Sequence, residues 1–315
     1  GKQILFPRYD PQGIAMQAIV NTDGTGLMEI LQSVGCPIAK WSPNGKYILL
    51  SNAKREVKIY TLKTGKTQTL THPIEPPFVW REDSSAFAGV LIKKNKFTQI
   101  ETRELCRFDR EGYPMGRVPL HDLQLASQAP LYWIPNTDEL VFMTNEQAQM
   151  NVYVTDSMQL RKVSSSNDLV GMGQVTGTTD VIWARKGANL HYILMTLYRF
   201  NTMLTSVSRL NFPERLPPLN PDPRHAPDSI FSVKFSPDGS HLIVIALMSE
   251  AGKKIYRSYT LKIDGSEVTA FDRYATPPDF LYNWSPDGKQ LTWMWGMKLM
   301  IGNVDGTNKV KIFTN

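Results

Sequence analysis

The sequence is poor in cysteine and histidine, the residues that bind metals or cross-link small folds through disulfides. It has only two cysteines, Cys36 and Cys106, which form no C-x-x-C pair, so neither a zinc site nor a redox pair is predicted. A long-range disulfide between them stays open, because nothing in the sequence fixes its geometry. The five histidines show no shared ligand spacing, and they are His72, His121, His191, His225 and His241. We predict no metal and no cofactor.

Long hydrophobic runs are also absent. The longest tight run, Leu242 to Met248, has the length of a strand, whereas a membrane helix needs about 18 apolar residues. No basic-then-apolar signal segment precedes Gly1. The first strand is expected almost at Gly1, so a leader or anchor can have been removed, and the start of the chain leaves localisation undecided.

Strong charge of one sign is missing as well. The net charge is +6 and the pI is about 9.1 in 315 residues. This modest excess favours an anionic partner. No block of five basic residues occurs, so dedicated nucleic-acid binding is not predicted.

A large aromatic residue recurs along the chain, at intervals of 39 to 53 residues. These anchor aromatics are Trp41, Trp80, Trp133, Trp183, Phe235 and Trp284. A strand-rich repeat of about 40 to 50 residues is typical of a β-propeller. At a repeated position beside a hairpin, the anchors are expected to be buried wedges between blades rather than stacking platforms for bases or sugars.

Three anchors open the same turn phrase, Trp/Phe-Ser-Pro-Asn/Asp-Gly, at residues 41–45, 235–239 and 284–288. Proline and glycine there favour a tight hairpin. Asp238 and Asp287 are therefore expected to serve the turn rather than catalysis. Each anchor is predicted to end the first of four antiparallel strands, and the fifth repeat is given a second strand at 189–195.

We predict an all-β propeller forming a single domain. The favoured count is seven blades with the first incomplete, and the alternative is six. The approximate units are 1–32, 33–72, 73–122, 123–165, 166–220, 221–272 and 273–315. The glycine-rich stretch 171–177 is interpreted as a loop between blades, and the proline-rich stretch 212–228 as an extended loop.

The phrase at Trp284 to Thr292, with the Asp-Gly turns at 264–265 and 305–306, resembles the repeats of TolB-like propellers, also called WD-like. The resemblance spans essentially the whole chain. It implies either a periplasmic protein that binds protein partners or the gating propeller of a prolyl-oligopeptidase-like hydrolase. The G-x-S-x-G nucleophile elbow and H-E-x-x-H are absent from the chain, and a hydrolase of the elbow kind is therefore not expected.

Two sets of residues are candidates for binding. Loops between second and third strands are expected to share one face, which would contact an anionic partner through Arg8, Tyr9, Lys54, Arg55, Lys93, Lys94, Lys96, Tyr198, Arg199, Lys253 and Lys254. Residues just before the anchors are expected to line a central channel, where a small anion or water would meet Lys40, Tyr132, Lys234 and Asn283. Ordinary solvated loop charge remains the alternative for the first set.

The preferred function is a non-enzymatic platform for a protein partner, outside the cytoplasm, with a cytoplasmic location as the alternative. The competing hypotheses are a propeller enzyme that acts on a polysaccharide or glycoside at the channel, and the regulatory propeller of a longer chain.

Overall fold

The protein is seen in a computed structural model that describes residues 2–314, apart from 11, 13, 33–37, 53, 122, 124, 126–130, 135, 147–148, 157–158, 167–168, 175–179, 187–194, 202–205, 210–226, 251 and 275–281. Between residues 164 and 231 it describes the backbone alone. The chain folds into two compact units, residues 1–165 and residues 166–314.

The first unit begins with a three-stranded antiparallel sheet, called here the opening sheet: β1 (Gln3–Tyr9), β2 (Ala15–Asn21) and β3 (Met28–Gln32). Blade 1 follows as β4 (Ile38–Trp41), β5 (Tyr47–Ser51), β6 (Val57–Thr61) and β7 (Lys66–Thr69). Blade 2 contains β8 (Ile74–Trp80), β9 (Ala86–Lys94), β10 (Glu101–Asp109) and β11 (Pro114–Pro119). Blade 3 contains β12 (Leu131–Trp133), β13 (Leu140–Glu146), β14 (Gln149–Asp156) and β15 (Gln159–Ser166).

The second unit holds three further blades. Blade 4 contains β16 (Leu169–Gln174), β17 (Asp180–Lys186), β18 (Met195–Asn201) and β19 (Ser206–Arg209). Blade 5 contains β20 (Pro227–Phe235), β21 (His241–Glu250), β22 (Lys253–Lys262) and β23 (Thr269–Tyr274). Blade 6 contains β24 (Asn283–Trp284), β25 (Gln290–Trp295), β26 (Lys298–Asn303) and β27 (Val310–Thr314).

Strands pair in chain order within every sheet, as propeller blades do. The described residues form six four-stranded blades, which matches the alternative count and not the favoured seven. The reason is that residues 3–32 supply only three strands, which pair with one another.

The turn phrase builds its hairpin through its serine. The hydroxyls of Ser236 and Ser285 donate to Asp238 and Asp287 at 2.6 Å. The same hydroxyl oxygens accept the backbone N–H that opens the next strand, at 2.9 Å. Gly239 and Gly288 then take φ of 69° and 68°, a backbone conformation that favours glycine. The phrase is therefore a local device that reverses the chain.

The prediction for blade 4 is wrong. Trp183 is expected to end a first strand, but it lies within the second strand β17, opposite Met172 of β16 and Tyr198 of β18. The residues after Trp183 are Ala184, Arg185 and Lys186, which have no turn chemistry, so the strand continues.

Other predictions for this part of the chain change accordingly. Residues 171–174, interpreted as a loop, belong to β16. Of the predicted second strand at 189–195, residues 189–194 lie outside the described residues, and Met195 begins β18. The proline-rich stretch also lies outside them up to residue 226, while Pro227 and Asp228 begin β20.

Apolar side chains fill the spaces between neighbouring blades of the first unit. Trp80 packs in a buried cluster with Leu49 and Ile59 of blade 1 and with Phe87 of its own blade. A second cluster joins residues of blade 2 to Trp133 of blade 3. The core of the unit is therefore divided into layers between sheets, as alternating strands require.

Candidate functional site

The anchor aromatics lie inside the molecule wherever their side chains are described. Trp80, Trp133 and Phe235 are buried. Trp41 and Trp284 are partly buried and pack against clusters that include residues of the preceding sheet. The side chain of Trp183 is outside the described residues. The anchors therefore line blade seams rather than an open binding surface.

Asp238 and Asp287 are engaged by their own turns. Hydrogen bonds from Ser236 and Ser240 lower the pKa of Asp238, although its partial burial opposes the shift. A hydrogen bond from Ser285 lowers the pKa of Asp287. Both carboxylates are held ionised as hydrogen-bond acceptors, which suits a turn and not a general acid.

The connections between second and third strands lie at one end of the blades in the first unit. Arg55, in the β5–β6 loop, reaches the neighbouring blade: its Nε lies 2.7 Å from a Glu75 carboxylate oxygen, and its Nη1 lies 3.1 Å from one of Glu101. Glu101 begins β10, directly after the β9–β10 hairpin. These contacts place the two connections side by side.

Several cations of the predicted basic face are neutralised there. Besides Arg55, Arg8 pairs with Glu29 at 2.9 Å, and Lys93 pairs with Glu104 at 2.7 Å. Partly exposed pairs of this kind add little stability, but they cancel charge locally. The sequence could not show this, because the acidic partners lie on other strands.

Three lysines remain uncommitted on this end. Lys54, Lys94 and Lys96 are exposed, and none has an ion-pair partner among the side chains that the structure describes. Lys94 and Lys96 belong to the β9–β10 hairpin, and Lys54 lies in the β5–β6 loop, which Arg55 joins to that hairpin. This part of the surface therefore keeps the positive charge that the predicted face was expected to carry.

Two large apolar side chains project from the same β9–β10 hairpin. Phe97 is 96% exposed and Ile100 is 62% exposed. Sequence reasoning missed both, although an aromatic residue in the polar stretch Lys93 to Gln99 was the available signal. We call Lys54, Lys94, Lys96, Phe97 and Ile100 the hairpin-tip surface.

The tip is a defined turn. Asn95 Oδ1 accepts the backbone N–H groups of Phe97 at 2.8 Å and Thr98 at 3.1 Å. The backbone N–H of Gln99 donates to Asn95 O, and that of Asn95 donates to Ile100 O, both at 2.9 Å. These bonds fix the backbone that presents Phe97 to solvent.

The second unit differs from the prediction for this face. Tyr198 and Arg199 lie within β18 and not in a connecting loop, because β17 is the second strand of blade 4. Lys253 and Lys254 are exposed and begin β22. The β25–β26 hairpin exposes Trp295, with the Lys298 ammonium 6.0 Å from its ring centroid.

The predicted channel residues occupy first strands. Lys40 in β4 is reached by solvent, yet surrounding protein atoms desolvate its ammonium group and lower its pKa. Desolvation raises the pKa of Tyr132 in β12 to about 12. In the second unit, Lys234 Nζ donates to the carbonyl of Tyr282 at 3.0 Å, and Asn283 is exposed. The Lys234 ammonium group is thus already hydrogen-bonded to a backbone carbonyl.

Groups suited to other chemistry are few. Over the described residues, no group of three or more His, Cys, Asp or Glu side chains is placed to hold a metal ion. Nor does that part of the chain contain a helix long and apolar enough to span a membrane. Cys106 is buried, and desolvation raises the pKa of its thiol to about 11, so it is poorly suited to nucleophilic work.

No protein-family model and no curated protein sequence matches this chain. Solved structures do. An oligogalacturonate lyase from Vibrio parahaemolyticus superposes with a TM-score of 0.64 at 13% identity, over 99% of this chain and 85% of the lyase. The β-propeller domain of the Trilobed protease from Pyrococcus furiosus gives 0.61 at 12% identity, over 99% and 95%.

TolB from Acinetobacter baumannii gives a TM-score of 0.52 at 15% identity, over 98% of this chain. That match covers 63% of TolB, so the chain spans less than two thirds of that protein's length. At such low identity the similarity shows the fold alone. The chain is an all-β propeller of four-stranded antiparallel blades, with a fold like that of TolB.

Proposed function

We propose that this propeller is a non-enzymatic platform for a protein partner, and that the hairpin-tip surface makes the contact. The observation that carries the proposal is the exposure of Phe97 on a hydrogen-bonded tip. An aromatic side chain left in water on a fixed backbone forfeits burial energy that a partner can recover, and it loses little conformational freedom on binding.

The charges around Phe97 indicate the kind of partner. Lys54, Lys94 and Lys96 are exposed and have no ion-pair partner among the described side chains, whereas Arg55 and Lys93 already have carboxylate partners. A partner with an acidic segment beside an apolar pocket would complement this arrangement. Its association should slow as salt rises, because exposed charges are screened within about 10 Å at 0.1 M salt.

A matched pair of variants tests the proposal. Phe97→Ala/Ile100→Ala removes the apolar tip. The control Tyr113→Ala/Met115→Ala removes side chains that are 66% and 55% exposed at the other end of the same blade. Such exposed changes alter stability by about 0.5 kcal/mol or less each. Each purified protein would serve as bait in native extract at low and high salt.

We expect wild type and control to retain the same partner, and the tip variant to bind it at least about 30-fold more weakly, as loss of a hot spot of about 2 kcal/mol implies. Equal retention by the tip variant would contradict the proposed surface. Cleavage of oligogalacturonate by the purified chain would contradict the non-enzymatic part and favour the enzyme hypothesis.

We also propose an extracytoplasmic location, the periplasm of a bacterium in the first instance. The resemblance of the turn repeats to TolB-like propellers and the similar fold of TolB support it. Fractionation of cells that express the native gene tests it, and recovery with cytoplasmic markers alone would contradict it.

A further inference from the structure

Among the residues that the structure describes, one edge of the opening sheet has no strand paired to it. Its last turn, at residues 21–25, has the Asp-Gly chemistry and positive glycine φ of the third-to-fourth turns in blades 5 and 6. By position, β1, β2 and β3 correspond to the second, third and fourth strands of a blade. The place of a first strand beside β1 is unpaired among the described residues.

A repeated hydrogen bond fixes this correspondence. The carbonyl of Lys2 accepts from the N–H of Thr22 at 3.0 Å. Two complete blades contain the same bond. The N–H of Leu62 donates to the carbonyl of Lys46, and the N–H of Val304 donates to the carbonyl of Lys289, both at 3.0 Å. Lys2 therefore stands where Lys46 and Lys289 stand, so Ile4 corresponds to Ile48 and Leu291.

The burial of β1 agrees with an open edge. In β5 every residue after Tyr47 is buried, and in β9 the residues from Ala86 to Ile92 are buried. In β1 only Ile4 and Phe6 are buried, while the other residues are partly or fully exposed. β25, which pairs with only the two residues of β24, shows a similar alternation, so the burial of β1 is that of a second strand with little or no first-strand cover.

The direction of the backbone groups follows from the register. Lys2 O and Asp10 N both bond to β2 or its flanking residues, and residues of an antiparallel strand alternate between its two sides. Even-numbered residues of β1 therefore bond to β2. The odd-numbered residues turn their backbone N–H and C=O groups to the open edge, and these are Gln3, Leu5, Pro7 and Tyr9. Pro7 offers only its C=O group, because proline has no N–H.

We propose that this edge binds an extended segment of a partner protein, which adds as an antiparallel strand beside Gln3 to Pro7. Strand addition of this kind gains main-chain hydrogen bonds from an exposed edge. The site is separate from the hairpin-tip surface and stands whether or not that surface binds a partner.

The blades also indicate what the segment looks like. Trp41, Phe235 and Trp284 lie opposite Ile48, Leu242 and Leu291, which occupy the position of Ile4 in their own blades. The bound segment would thus place a large aromatic residue opposite Ile4. Its next residue toward the amino terminus would pair with Leu5, as Lys40 pairs with Leu49.

Pro7 limits the length of the pairing. It corresponds to Ser51, which lies opposite Ile38 at the start of β4. The missing donor therefore falls where a four-residue first strand begins, and proline is tolerated at such an edge position. Three to four paired residues, about the length of β4 or β12, are the expected extent.

The test uses a capped synthetic peptide with the chain's own sequence from residue 37 to residue 44. In the free protein, the Leu5 amide should exchange rapidly with solvent, while those of Ile4 and Phe6 are protected by β2. Saturating peptide should slow exchange at Leu5 by about tenfold or more, because exchange then proceeds only from the small free fraction. The amides of Ile4 and Phe6 should not change.

Variants separate the backbone bond from the side chain. Leu5→Pro removes the outward N–H without breaking the ladder to β2, and Leu5→Ala removes the same side chain but keeps the N–H. We expect Leu5→Ala to bind the peptide and Leu5→Pro to lose binding by at least about tenfold. A peptide carrying proline in place of Lys40 should not bind to wild type.

Three results would overturn the proposal. The first is unchanged exchange at Leu5 with excess peptide. The second is protection of Leu5 in the free protein at every concentration, which would mean that the edge is already covered within the chain. The third is protection that rises with protein concentration alone, which would assign the edge to a second copy.

Discussion

The Trp80 side chain offers the most direct test of how the blades are held together. It is 6% exposed and packs between blades 1 and 2. Its ring stacks 6.3 Å from that of Tyr47 and lies 5.6 Å from that of Phe87. Its Nε1 also donates to the carbonyl of Lys40 at 3.2 Å, so the indole joins the two blades in both apolar and polar ways.

The magnitude follows from these contacts. A buried tryptophan covers about 150–250 Å², and about 25 cal/mol per Å² gives roughly 4–6 kcal/mol for the whole side chain. Trp80→Ala should destabilise the protein by about 3–5 kcal/mol, since the alanine retains part of that area and the cavity relaxes only partly. Trp80→Phe should lose about 1–3 kcal/mol, because the smaller ring fills less of the space between the blades and the hydrogen bond to the Lys40 carbonyl is lost.

Equilibrium urea denaturation followed by circular dichroism measures both losses. Tyr113→Ala is the control, because that side chain is 66% exposed in the same blade, and it should change stability by about 0.5 kcal/mol or less. A loss below about 1 kcal/mol for Trp80→Ala, or one equal to that of the control, would refute the wedge between blades.

Two further predictions concern the turns. Gly45 and Gly288 both have φ of 68°, but an added Cβ would lie 2.8 Å from Asp238 Oδ1 at Gly288, whereas at Gly45 it would meet nothing within 4 Å. Gly288→Ala should therefore lower the denaturation midpoint more than Gly45→Ala. Equal losses in the two variants would contradict this. Hydrogen bonds from Ser266 lower the pKa of Asp264. The ionised carboxylate therefore stabilises the folded protein above the unfolded pKa of about 3.9, and this stabilisation is lost as pH falls through the lower, folded pKa. Asp264→Asn should therefore flatten the acid loss of stability, and a curve parallel to that of wild type would disprove it.

The blade pattern was predictable where turn chemistry is explicit. At Trp284 the phrase Ser285 to Gly288 reverses the chain through bonds between residues two to five apart. The prediction failed at Trp183, where no such phrase follows and the strand continues to Lys186. A recurring aromatic residue alone does not mark a strand end, because it fits a pleated sheet at either position.

The candidate surface was predictable only in part. The sequence indicated basic second-to-third connections, and Lys54, Lys94 and Lys96 do remain exposed there. It did not indicate that Lys93 would be paired with Glu104, nor that Phe97 would lie on the outside. Hydrophobicity predicts that most phenylalanines are buried, and the hydrogen bonds of Asn95 decide otherwise at this tip.

The sequence by itself determined the local architecture, the hairpins and the four-stranded repeat, since these depend on residues a few positions apart. Only the tertiary structure decided which cations are paired and which edge of the opening sheet has no partner strand among the described residues. Arg55 meets Glu101 across 46 residues, and the outward amides of Gln3 and Leu5 are defined by the register with β2. Such features depend on which sheets and strands lie side by side, and residue identity alone does not encode that arrangement.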